Sequence, residues 1–205
     1  MAHWRSVNLN IPEARLLADL ASQANDLQAT TDMCNLALAE FTKESSIIGL
    51  LEALTNAAVV RYSRCFNKGV RAKIPNSLLG GLSKNQNKDH KFFIALRNKY
   101  IAHSVNVFEE TKIVACLVPE ERGPRGVASI GMQHDRLASL GANDFTRLKA
   151  LSSELHQRMS NLIEEEKRKV LEAARKLPVA GLYSRVDPPN KVAGDSDVTK
   201  PRKRH

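Results

Sequence analysis

From residue 143 to 177 the apolar side chains recur every three or four positions. Phe145, Leu148, Leu151, Leu155, Met159 and Leu162 would share one side of a long helix, and the run "EEEKRK" that follows is suited to water. There Glu164–Arg168 and Glu165–Lys169 have the spacing of favourable i,i+4 pairs. A stripe of that length must be covered, and the chain supplies partners with the same period. Residues 12–29 place Leu16, Leu17, Leu20, Ala24 and Leu27 at helical spacing after a first-turn Pro12. A second stretch, about 31–43, follows from Thr31. A third runs from about Ile47 to Phe66, with Ser45 or Ser46 as its cap and Leu50, Leu51, Leu54, Ala58, Tyr62 and Phe66 on its apolar face. After a loop-rich stretch with room for one short turn at 76–82, "SKNQ" has the Ser-x-x-Gln form of a capping box and opens a fourth helix, with Phe92, Phe93, Leu96, Tyr100 and Ile101 on its apolar side.

The period changes once. "KIVACLV" (112–118) and "VASIGM" (127–132) are β-rich runs separated by "PEERGPRG", the pattern of a hairpin at about 111–132. The sequence therefore predicts a mainly α protein. It is an up-and-down bundle of four to five helices with a β-hairpin inserted before the last long helix. Residues 1–177 form one domain, and 178–205, with "DPPN", "GDSD" and the basic end "KPRKRH", are too polar to build a core and read as a disordered tail. The first residues lack the apolar region of a secretory leader, and no run approaches the roughly 20 apolar residues that span a bilayer. Cys34, Cys65 and Cys116 are odd in number and scattered, which fits buried thiols in a reducing compartment. A cytoplasmic protein is expected.

Charge narrows the function. The net charge is +9, and residues 61–103 carry all of it: ten Lys or Arg against a single acid, Asp89. A basic field concentrated in this way attracts polyanions and makes their binding salt-dependent. A solubilising surface would show the same excess. Arg61, Arg64, Lys68, Arg71 and Lys99 are nominated as contacts to an RNA backbone on charge alone. The same segment contains "ALRNKYIAHS", where Arg97, Asn98 and His103 interrupt an apolar helix. About one such Arg-to-His spacing is expected by chance in a chain of this composition, so the weight lies in the context. In an ideal α-helix His103 is about 120° around the axis from Arg97 and roughly 9 Å along it. The two converge only if the helix ends or bends near Ile101, if the arginine reaches round, or if two copies of the helix face each other.

The residue types limit the chemistry. An imidazole exchanges protons near neutral pH, a guanidinium matches the charge that builds on phosphate oxygens, and an amide orients a hydroxyl or phosphate. The sequence holds no acidic cluster or close His/Cys set that would bind a metal, and no cofactor is expected. His, Arg and Asn without a metal fit attack by an RNA 2′-hydroxyl on its own phosphodiester, a reaction closed to DNA. His134 and His156 stand alone on their segments and read as surface or cap residues. Glu109 and Glu110 read as hairpin entry.

"LRNKYIAHS", with its arginine, adjacent polar residue and later histidine in a late helix of a bundle, resembles the signature of the HEPN superfamily, in particular HEPN domains of bacterial abortive-infection proteins. "ALTNAAVVRYSRCF" and "VNVFEETKIVACLV" are similar to the same group, so the resemblance covers roughly residues 10–175. It implies a helical bundle that forms a homodimer through the motif helix. It also implies metal-independent endoribonuclease activity leaving 2′,3′-cyclic phosphate ends, in a toxin–antitoxin or phage-defence setting where an antitoxin is a possible partner. By position, Arg97 and His103 would be the catalytic pair and Asn98 the polar residue beside the arginine. Many HEPN domains lack nuclease activity, which leaves two rivals: a non-catalytic dimerisation or nucleotide- or RNA-binding module, and a structural hydrogen-bond network at a dimer interface.

Overall fold

The computed structural model of the protein describes residues 6–67, 71–101, 109–136, 139–185 and 194–200. Two long helices, α1 (Pro12–Glu40) and α5 (Ala142–Arg175), form the spine. They run antiparallel: the Thr31 and Ser153 hydroxyls lie 3.4 Å apart, and the Phe41 and Phe145 rings meet at 6.2 Å. Leu20, Leu27 and Cys34, at seven-residue intervals on α1, are fully buried against Phe145, Leu148, Leu155 and Met159 of α5. Each leucine there contributes roughly 1.5–3 kcal/mol of burial.

Helix α1 is continuous where the sequence predicts two helices meeting near Thr31. Thr30 and Thr31 do not cap a new helix. Their hydroxyls donate back to the carbonyls of Asp26 (2.8 Å) and Leu27 (3.2 Å), which keeps a threonine inside a helix. The next connection also differs from the expected serine cap. Helix α2 (Ile48–Arg64) starts from Ile47, which has no side-chain cap of its own. Glu40, buried at the end of α1, accepts the Ile47 amide at 2.9 Å and pairs with Lys43, while Ser46 donates to the Glu40 carbonyl. The long carboxylate supplies the acceptor that a serine was expected to supply.

Helix α2 returns antiparallel to α1 and buries Leu51, Ala58, Val59 and Tyr62. A short helix, α3 (Asn76–Gly80), leads into α4 (Lys84–Leu96). The Ser83–Gln86 capping box is formed in both directions, at 3.2 and 2.9 Å. Arg158 on α5 fixes this corner by donating to the carbonyls of Leu78 and Gly81. A Cβ on Gly81 would lie 2.7 Å from the Arg158 guanidinium, so a larger residue there would displace the end of that side chain. Arg147, also on α5, ties in α4: it pairs with Asp89 and Asp144 and lies over the Phe92 and Phe93 rings at 5.4 and 5.9 Å.

Strands β1 (Glu109–Leu117) and β2 (Val127–Arg136) form the antiparallel hairpin, longer at its open end than its apolar runs suggest. The strands turn through Gly123, whose φ of 141° favours glycine. Ile113 opposes Met132 and Ala115 opposes Ile130, which places these side chains on one face. Ile113, Ile130 and Met132 are nonetheless 66–71% exposed, so the described bundle does not cover that face. In α5 the charged run pairs at i,i+3 (Glu164 with Lys167, Glu166 with Lys169) in place of the expected i,i+4 pairs. Beyond Pro178 the described residues include a short α-helix, α6 (Val179–Ser184), whose Val179 and Tyr183 are exposed, and a 3-10 turn at Asp195–Asp197. No helix among the described residues is long and apolar enough to cross a membrane.

Candidate functional site

The α-helical hydrogen-bond pattern of α4 stops at Leu96. Arg97–Ile101 form a π-helical turn, in which each bond spans one residue more than in an α-helix. The apolar residues of the turn, Tyr100 and Ile101, pack against the core, so the turn is anchored from inside. Its polar residues face outward. Asn98 and Lys99 are exposed and Arg97 is half-buried. Arg97 Nη1 donates to Asn98 Oδ1 at 3.0 Å, an amide oxygen that holds the guanidinium on the turn. The departure from α geometry begins at Arg97, a few residues before the place where an end or bend of the helix was one of the three expected routes to convergence. His103 and Lys68 lie outside the described residues.

Three of the five nominated backbone contacts share a partner that the sequence did not reveal. Asp26 of α1 is 2% exposed and sits among three guanidiniums. Arg61 Nη1 donates to Oδ1 at 2.9 Å, Arg71 Nη1 donates to Oδ2 at 2.7 Å, and Arg64 Nε lies 3.8 Å from Oδ2. Burial would push the Asp26 carboxyl up. The hydrogen bonds from Arg71 and Arg61 and the charge of Arg64 outweigh it and hold the carboxyl below its ordinary range. The same face of α1 holds the neighbouring chain: Asp19 accepts the Ala72 amide and the Gln23 amide donates to the Ala72 carbonyl, both at 2.8 Å. The sequence did carry a signal. Asp19, Gln23, Asp26 and Thr30 recur at helical spacing beside the apolar stripe of Leu20, Ala24 and Leu27, a second face that is polar and still buried from Gln23 onward.

His90, on α4 two turns before Arg97, is enclosed by aromatic rings. Its Nδ1 lies 2.8 Å from the Tyr62 hydroxyl, and the Phe66 ring meets it edge-on at 4.6 Å. Burial first, and then the neighbouring Lys91, lower its pKa, while burial raises that of Tyr62; both groups are therefore neutral partners at neutral pH. This contact fixes the α2–α4 angle that carries the π-turn. The unfolded imidazole binds a proton more readily than the folded one, so stability is full above the unfolded pKa and falls as pH drops toward the lower folded value. His90→Gln keeps an acceptor for Tyr62 without titrating. The difference in urea midpoint between about pH 7.5 and about pH 5.5 should be smaller in this variant than in the wild type. An equal difference would mean that other groups set the slope.

Among the described residues no group of three or more His, Cys, Asp or Glu is placed to hold a metal ion. No family model, curated protein or solved structure matches this chain, so the functional argument rests on the residues themselves. The arrangement offers an outward-facing arginine with an amide beside it on a π-turn, and three arginines around one buried carboxylate. Both suit phosphate oxygens, which accept the forked, charge-assisted hydrogen bonds of a guanidinium.

Proposed function

We propose that the protein is a metal-independent RNA-binding endoribonuclease of HEPN type that works as a homodimer through its motif helix. The supporting observation is the π-helical turn. It presents Arg97, held by Asn98, at the end of the helix that leads to His103, inside the segment carrying the +9 charge. In the reaction His103 takes the proton of the RNA 2′-hydroxyl, and the 2′ oxygen bonds to phosphorus. The bond from phosphorus to the 5′ oxygen breaks, that oxygen takes a proton from solvent water, and His103 returns to solvent the proton it took. The products are a 2′,3′-cyclic phosphate and a 5′-hydroxyl. Arg97 stabilises the charge that accumulates on the non-bridging oxygens. A toxin or phage-defence role, with an antitoxin as partner, follows from the family resemblance.

Purified protein incubated with RNA in EDTA should leave cyclic-phosphate ends and spare DNA of the same sequence. His103→Ala should remove the activity while the circular-dichroism melt stays in place. Cleavage by His103→Ala at the wild-type rate would reject the assignment. One observation favours the non-catalytic reading: Arg61 and Arg71 already bond to Asp26, as they would in a module that holds RNA or stabilises the bundle. In that case RNA binding weakens with salt and no scission appears.

A further inference from the structure

We propose that Asp26 is the positioning residue of a preformed phosphate subsite, in which Arg61 and Arg64 contact successive backbone phosphates of an RNA strand and Arg71 is the strut that holds the cluster. This rests on the RNA-binding part of the function proposed above and is independent of scission.

The argument starts from charge. One carboxylate neutralises one of three guanidiniums, so Asp26 with Arg61, Arg64 and Arg71 retains two positive charges. Asp19, two turns away on α1, already takes the Ala72 amide. Exposure divides the three arginines. The Arg71 side chain is 16% exposed and makes the shorter bond to Asp26, whereas Arg61 and Arg64 are 39% and 49% exposed. Arg64 is held at ion-pair distance only. Each guanidinium has five N–H donors in a planar fork, and Asp26 occupies only part of that capacity on Arg61 and Arg64. The side chains that carry the remaining donors are partly exposed.

Rigidity supplies the rest. Arg61 and Arg64 are one turn apart at the end of α2, and Asp26 is fixed in the interior of α1. Free surface arginines lose side-chain entropy when a ligand immobilises them. Here the buried carboxylate holds Arg61 by a hydrogen bond and draws Arg64 to ion-pair distance, so part of that loss is met before binding. A purely structural cluster would explain Arg71 and the buried Asp26. Arg61 and Arg64 also help to offset the burial of that carboxylate, and their exposure leaves them able to take a second anionic partner.

The probe is a fluorescent 12-nucleotide 2′-O-methyl RNA of mixed sequence, which has no free 2′-hydroxyl and cannot be cleaved by 2′-attack. Binding by the full chain is measured by anisotropy across a salt series in EDTA. Each lost phosphate contact should flatten the plot of log affinity against log salt by about 0.7. Arg64→Gln should therefore flatten it by about 0.7 without moving the melt, and Arg61→Gln with Arg64→Gln by about 1.4. Between about 50 and 200 mM salt, the affinity gap between wild type and double variant then changes about sevenfold. Arg125→Gln, at the hairpin tip, removes the same charge elsewhere and should leave the slope unchanged. A wild-type slope in Arg64→Gln and in the double variant, equal flattening in Arg125→Gln, or no RNA binding at all would overturn the proposal. A probe with a 5′-phosphate separates the two sources of phosphate: tighter binding that depends on Arg64 would assign the subsite to a strand terminus and overturn the backbone assignment. Binding with the expected slopes by a protein that never cleaves RNA would reject the ribonuclease and leave this subsite standing.

Discussion

Asp26→Asn should destabilise the protein by about 3 kcal/mol, the lower part of the range for breaking a buried ion pair from one side. The substitution preserves shape, so the loss is electrostatic. The introduced carboxamide keeps one oxygen acceptor where the carboxylate had two, so in either orientation its NH2 faces a guanidinium donor, of Arg61 or of Arg71. Arg61, Arg64 and Arg71 are then three cations without a counter-charge. Arg61 and Arg64 are exposed enough for water to recover part of the cost; Arg71 is not. In a chain of this length the melting temperature should fall by roughly 6–12 °C.

The pH dependence gives the same test a sign. The folded Asp26 carboxyl titrates below its unfolded value, so its contribution is complete above the unfolded pKa of about 3.9 and is lost as pH falls through the folded value. Wild type should therefore lose stability more steeply than Asp26→Asn below about pH 4. Urea denaturation at several pH values measures both effects. A variant within about 1 kcal/mol of wild type at neutral pH would show that the cluster does not anchor the bundle.

This cluster also marks the limit of reading the chain from its sequence. The apolar stripe of α5, the Ser83–Gln86 capping box and the hairpin were legible because each is local: the residues that define the element lie within it. The basic segment was legible as charge. The pairing of three of its arginines with Asp26 was not, because Asp26 precedes Arg61 and Arg71 by 35 and 45 residues, and no local pattern encodes a meeting at that separation. The break in α1 was misread for a related reason. Thr30 and Thr31 have the composition of a helix start, and whether a threonine caps a new helix or bonds back to the turn before it is set by packing. Near the motif, helical spacing alone stated a condition, that Arg97 and His103 need something other than a straight α-helix. The π-turn at Arg97–Ile101 is a departure from straight α geometry, and its Tyr100 and Ile101 pack against the core, a tertiary contact that local spacing does not encode.

Replacing Arg97 should affect catalysis most. If its guanidinium stabilises the charge on phosphate, Arg97→Ala should lower the cleavage rate about 10²–10³-fold. Arg97→Lys keeps the charge and loses the planar fork, so it should recover part of that loss and not all of it. The melt should stay in place in both variants, because the hydrogen bond between described residues that is lost is to Asn98, an exposed neighbour. Wild-type cleavage by Arg97→Ala would reject the role. The same pair of positions also tests whether the site is shared between two copies of the motif helix. If each site takes Arg97 from one protomer and His103 from its partner, a mixed dimer of Arg97→Ala and His103→Ala chains has one doubly damaged site and one intact site. Equal mixing with free exchange makes half the dimers mixed, so activity should return to about a quarter of wild type. If the bend brings both residues together within one chain, every site in every dimer stays damaged and mixing restores nothing.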